Sequence, residues 1–110
     1  MNTVTTVQAA EFLQAHDNYL ILTHVRPDGD TVGCAAGLCR ALRQTGKTAY
    51  ILENPEVTEL FTGYIKGLTI GADYTPETVV SVDIAARSLF PAPAQPYLDW
   101  VDLALDHHPS

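Results

Sequence analysis

Three short stretches hold the side chains that could do chemistry: His24-Val25-Arg26-Pro27-Asp28-Gly29-Asp30, then Val82-Asp83, then Asp106-His107-His108. Imidazole and carboxylate are nitrogen and oxygen donors. They suit Mn2+ or Mg2+ better than thiolate-rich sites do. If Asp28, Asp30, Asp83 and Asp106 converge, four negative charges crowd into one pocket, an arrangement that is costly unless cations sit among them. A carboxylate shared between two ions, a role open to Asp83, would hold them about 3.5–4 Å apart, close enough for a bridging hydroxide to attack phosphorus.

Each residue also has a plainer reading. Asp30 ahead of Thr31 is a favoured helix cap, and Asp28 in Pro-Asp-Gly is a favoured turn former. Asp83 at a strand end could serve a turn, and paired histidines near a chain end could be solvated surface. Taken singly, Asp28 and Asp30 are better explained by structure than by catalysis. The weighting changes because each stretch follows an apolar run of strand length. Open α/β sheets keep their ligands at such strand ends.

The runs that must position these residues are Tyr19–Thr23 before His24, Val79–Val82 before Asp83, and Val101–Leu105 before Asp106. Near-continuous apolar character predicts strands covered on both faces. An amphipathic helix is expected over Thr5–His16, with Val7, Ala10, Phe12 and Leu13 as its apolar positions and Thr5 or Thr6 as its cap. A second helix is expected over Thr31–Gln44, closed by Gly46. Lys47–Leu52 then supplies a strand that completes a βαβ unit. Between Glu53 and Tyr74 the pattern weakens, with one helical turn at Val57–Tyr64, and Pro91–Pro96 reads as a loop. The expected fold is α/β: a doubly wound, mostly parallel sheet with helices on both faces.

At 110 residues, with 46% hydrophobic and 17% charged, the chain has the make-up of a single globular domain. Thirteen acids against six lysines and arginines give a net charge of −7, which argues against neutralising the phosphates of a long duplex. Cys34 and Cys39 share a helix but not a face, so no disulfide is expected. Without a signal sequence or a membrane-length apolar run, the expected compartment is the cytoplasm, with no membrane partner.

Together, His24-Val-Arg-Pro-Asp28-Gly-Asp30-Thr-Val-Gly33, Val82-Asp83 and Asp106-His107-His108-Pro109 resemble, in order, the first three signature motifs of the DHH family of phosphoesterases. The wording is most similar to the branch of oligoribonucleases and 3′-phosphoadenosine-5′-phosphate phosphatases. The resemblance implies hydrolysis of phosphoester bonds in short oligonucleotides or small nucleotides, with two Mn2+ or Mg2+ ions as cofactors. It implies that His24 and Asp28 bind one metal, that Asp30 and His107 bind the other, and that Asp83 bridges them. His108 would face substrate phosphate, Asp106 would shape the site, and Arg26 could contact a phosphate or remain solvated. Members of the family continue to a fourth motif aspartate and a C-terminal substrate domain. The 110 residues therefore correspond to the N-terminal part and are expected to be poorly active or inactive alone. An uncovered sheet edge would offer a homodimer contact.

Two alternatives stand beside this. Asp28-Gly-Asp30-Thr-Val also resembles the first motif of haloacid-dehalogenase phosphatases, in which Asp28 would be a nucleophile, although that motif normally sits directly on a strand end. The third reading is a module that binds metal or nucleotide without turnover. A dinucleotide-binding domain is excluded because Gly29 and Gly33 do not make the G-x-G-x-x-G fingerprint.

Overall fold

The structure, a computed structural model, describes residues 6–23, 29–57, 59–71, 73–82 and 91–105; for Thr6, Asp30, Leu60, Leu98 and Leu105 it describes the backbone alone. The elements run α1 (Thr6–Ala15), β1 (Tyr19–Leu22), α2 (Gly29–Gln44), β2 (Ala49–Leu52), α3 (Glu59–Thr62), a 3-10 turn (Gly63–Ile65), β3 (Thr69–Ile70), β4 (Thr78–Val82), a 3-10 segment (Ala92–Trp100) and β5 (Val101–Leu105). The strands form one sheet in the order β3-β2-β1-β4-β5, and every neighbouring pair is parallel. The expected α/β class is observed.

The apolar strands end up in the middle. In β1 all four residues are wholly inaccessible, and in β4 all five are buried. A side chain such as Leu20 or Ile21 contributes roughly 1.5–3 kcal/mol when fully buried. Two clusters lie on opposite faces. Tyr19, Ile21, Val80 and Val82 pack with α2 residues such as Val32 and Ala36 and with Phe12 and Leu13 of α1. On the other face, Leu20, Leu22 and Val79 pack with Ala94 and Tyr97.

Sheet order and faces fit together. From β1 to β3 the connections step one way along the sheet and cover the first face; from β4 to β5 the connection steps the other way and covers the second. Reversing both step and face preserves handedness, so one hand of crossover builds both halves, as the right-handed rule requires. The fold is thus doubly wound, with its switch point between β1 and β4.

Local chemistry sets the boundaries. Gly46 takes φ +86°, its N–H donates to the Arg43 carbonyl at 3.0 Å, and Lys47 N–H donates to Leu42 at 3.1 Å. That pair of bonds is a Schellman motif, and it stops α2 at the expected glycine. Arg43 then donates from Nε to the Ala49 carbonyl and from Nη1 to Gly67, tying α2 to the start of β2 and to the turn before β3. The Tyr19 hydroxyl donates to the Leu13 carbonyl and fastens α1 to the central strand.

Four expectations need correction. In α1, Val7 and Ala10 are exposed, and Ala9 joins Phe12 and Leu13 in the core, because the helix is rotated from the assumed phase. α2 begins at Gly29 rather than Thr31. β3 had no counterpart in the sequence reading; it is held by backbone bonds from Ile51 N–H to Leu68 and from Glu53 N–H to Ile70. Pro91–Pro96 is not a loop, since Ala92–Trp100 is 3-10 helical. Cys34 is exposed and Cys39 buried, and both are free thiols, as expected.

Candidate functional site at the carboxyl edge of the sheet

β1, β4 and β5 are consecutive neighbours running in one direction, so their carboxyl ends lie side by side. Leu22 of β1 pairs with Ser81 of β4, and Val82 of β4 pairs with Leu105 of β5. The next residue in the chain after Val82 is Asp83, the next after Leu105 is Asp106, and His24 follows Leu22 by two. The three chemistry-bearing stretches therefore leave adjacent strand ends, flanking the switch point where sheets of this kind place their ligands.

Of the residues singled out from sequence, His24, Arg26, Asp28, Asp83, Asp106, His107 and His108 lie outside the described residues. Asp30 is described by its backbone, which is the second residue of α2. It is therefore neither the helix cap nor part of a loop, because the helix has already begun at Gly29. Among the described residues no group of three or more His, Cys, Asp or Glu is placed to hold a metal ion. His16, the one histidine among them, stacks on Phe12 with ring centroids 4.1 Å apart and contacts the Phe12 carbonyl at 2.7 Å through Nδ1. It stands just before β1, away from the carboxyl edge.

Several described residues fix the edge. Thr23 is 4% exposed, and its Oγ1 accepts a hydrogen bond from Asn54 Nδ2 at 2.9 Å, which ties the exit of β1 to the exit of β2. The Asn54 Oδ1 accepts from Glu56 N–H at 3.0 Å, an Asx turn that stiffens the segment. At the start of α2, Thr31 and Val32 are buried and seat the first turn on the core. Phe61 of α3 lies against that turn: a Cβ added to Gly29 would meet its ring at 3.2 Å. Glycine at 29 thus permits a close approach.

The β4–β5 ladder carries an irregularity near the amino ends of its strands, which sets the register that reaches this edge. Val79 pairs with Val101, but Val80 pairs with Leu103, so Asp102 is the extra residue of a bulge. Its carboxylate accepts the Val79 N–H at 2.9 Å and satisfies the donor that the bulge would leave unpaired. Beyond this point the register is regular through Val82 and Leu105. The roles of Asp102, Thr23, Asn54 and Phe61 were missed in the sequence. The only trace of the bulge was a charged residue inside an otherwise apolar strand.

Residues 18–110 match the model of the DHH family, N-terminal domain. The chain belongs to the DHH family. This membership agrees with the first of the two enzyme resemblances and not with the haloacid-dehalogenase one. A relative from Thermus thermophilus, named bifunctional oligoribonuclease and PAP phosphatase NrnA, is 49% identical over 47 residues. That alignment covers 42% of this DHH chain and 14% of the relative. The chain thus matches a small part of the relative's length.

No helix among the described residues is long and apolar enough to cross a membrane.

Proposed function

We propose that this DHH-family chain is the N-terminal part of the catalytic domain of a divalent-metal phosphoesterase, acting on small nucleotides or short oligonucleotides. The observation that carries the reading is the adjacency of the carboxyl ends of β1, β4 and β5, from which all three acid-and-histidine stretches depart. The relative's printed name supports the substrate class.

The donor set fits hard divalent cations, as five acids and imidazoles supply only oxygen and nitrogen. In this reading His24 and Asp28 hold one ion, Asp30 and His107 hold a second, and Asp83 is shared between them. When bound, two such ions would neutralise phosphate charge and lower the pKa of attacking water. His108 orients the substrate phosphate, and Arg26 adds a charge-assisted contact from the stretch of sequence before α2. Asp106 orients an adjacent imidazole, the usual task of a carboxylate beside a metal ligand. The net charge of −7 disfavours long polyanions and leaves local cations to receive small ones. β5 ends the sheet among the described residues, which is compatible with pairing of two copies through that edge.

The test is Mn2+ titration of the chain, together with phosphate release from an adenosine bisphosphate or a short RNA. Mn2+ binding that is lost in Asp83→Ala, with chelator-sensitive release, is the expected result. Release that persists undiminished under chelation would overturn the reading, as would Asp83→Ala binding Mn2+ like the parent.

A further inference from the structure

A cavity of about 510 Å3 opens beside the carboxyl end of β2, walled by Leu52, Val57, Ile65 and Pro93, with Glu53 and Thr62 as polar members. Its volume lies within the range of small-molecule sites, and a mostly apolar wall with a few polar groups is their common make-up. The wall has a firm base, since Leu52 and Ile65 are buried core residues. Asn54, which also lines the cavity, is tied to Thr23, the residue just before His24.

Position relates the cavity to the proposed centre. β2 neighbours β1, and β4 lies on the far side of β1. At about 4.8 Å per strand, the end of β2 is roughly one spacing from the exit toward His24 and two from the exit toward Asp83. A nucleotide whose phosphate sits at those exits has the length to place its base over β2.

Charge decides which part of a nucleotide enters. The Glu53 carboxylate is exposed and has no partner among the described residues. A carboxylate repels phosphate but accepts hydrogen bonds from hydroxyl and amino groups, and apolar walls suit a flat base. Other sheets of this strand order use an acid after the first strand–helix unit to hold ribose hydroxyls, an analogy that points the same way.

We propose that this cavity is the nucleoside subsite of the phosphoesterase centre, with the base against Val57, Ile65 and Pro93 and the ribose hydroxyls on Glu53. The proposal rests on the phosphoesterase reading above, and its test separates the two.

Amide chemical shifts of the chain would be followed during titration with adenosine, 2′-deoxyadenosine and ribose 5-phosphate, without metal and with Mg2+. The expected result is a saturable change confined to residues around 52–57 and 62–69 with adenosine, independent of metal, and weaker with the deoxynucleoside. Glu53→Gln should raise the adenosine Kd by about tenfold, the loss of one charge-assisted hydrogen bond, and should erase the ribose preference. Thr62→Trp should fill the cavity and abolish binding while the spectrum stays folded. If that variant unfolds, Glu53→Gln and the wild-type map still decide. No change at those residues, equal response to ribose 5-phosphate, or the same changes produced by raising protein concentration alone would each overturn the subsite. Metal-dependent hydrolysis with KM unmoved by Glu53→Gln would sink the subsite and leave the phosphoesterase reading standing. Adenosine binding at this cavity, with Asp83→Ala still taking up Mn2+ like the parent, would do the reverse.

Discussion

The carboxylate of Asp102 accepts the Val79 N–H at 2.9 Å, at the one place where the β4–β5 ladder skips a residue. A side chain here replaces the carbonyl that a regular strand would offer. Removing the acceptor in Asp102→Ala leaves a part-buried donor unpaired and should cost about 1–3 kcal/mol. Asp102→Asn, which keeps an acceptor oxygen, should recover part of the loss. Urea denaturation checks this as a lower midpoint at unchanged slope, and faster hydrogen exchange at the Val79 amide would localise the effect.

Crowding between Gly29 and Phe61 gives a second prediction. An alanine at 29, the first residue of α2, gains at most about 1 kcal/mol of helix propensity over glycine but pushes on a ring 3.2 Å away. The two effects offset, so Gly29→Ala should change stability little while displacing the first turn of α2. Mn2+ affinity should fall in Gly29→Ala and be largely restored in the double variant with Phe61→Leu. Calorimetric titration of the four proteins would measure that coupling. Additive effects would show that the contact does not position the turn.

Asp17 supplies a pH dependence. Its carboxylate accepts the Thr48 N–H at 2.8 Å and the Asn18 N–H at 2.7 Å, joining the entry of β1 to the entry of β2. These bonds, that from Thr48 first, hold its pKa below the ordinary aspartate value despite some opposing desolvation, and Lys47 nearby lowers it further. A group whose pKa is depressed on folding stabilises the native state above its unfolded pKa. The contribution is present above about pH 4 and is lost as pH falls through the folded value. Asp17→Ala should therefore be less stable than the parent at neutral pH, with the gap narrowing in acid. A gap that stays constant across that range would show that the charge plays no part.

The thiols should separate by reactivity. Cys34 is exposed, whereas Cys39 is buried and its Sγ lies 3.3 Å from the Ala49 carbonyl. Burial pushes the Cys39 thiol up, partly offset by Arg43 and Arg40. A thiol reagent should modify Cys34 alone in the native chain and Cys39 only on unfolding. Equal rates at both positions in native conditions would contradict the packing of α2 on the sheet.

How far the chain itself announced this architecture depended on how local each signal was. Val101–Leu105 forms the strand expected of it, and α2 ends at Gly46 because a left-handed residue is needed there and glycine takes it at no steric cost. β3 was invisible because it is two residues long and is held by backbone partners contributed by β2. The 3-10 segment was hidden behind Pro93 and Pro96, which signal a break in an α-helix but fit a tighter turn with fewer N–H donors needed. For the candidate site, residue types and order pointed to the family that the comparison identifies. The neighbours that steady the strand ends, Asn54 on Thr23 and Phe61 on Gly29, are pairings between distant stretches that no single window contains.

The way the two faces of the sheet are covered also bears on how the chain is made. Leu20 and Leu22 emerge early in synthesis, yet their cover, Ala94 and Tyr97, is translated near the end of the described chain. Until then a nascent polypeptide must carry one greasy side of its central strand into a crowded cell unprotected. Slow elongation or a premature stop before residue 92 would prolong that interval, and such intermediates are the ones that chaperones bind and aggregates recruit.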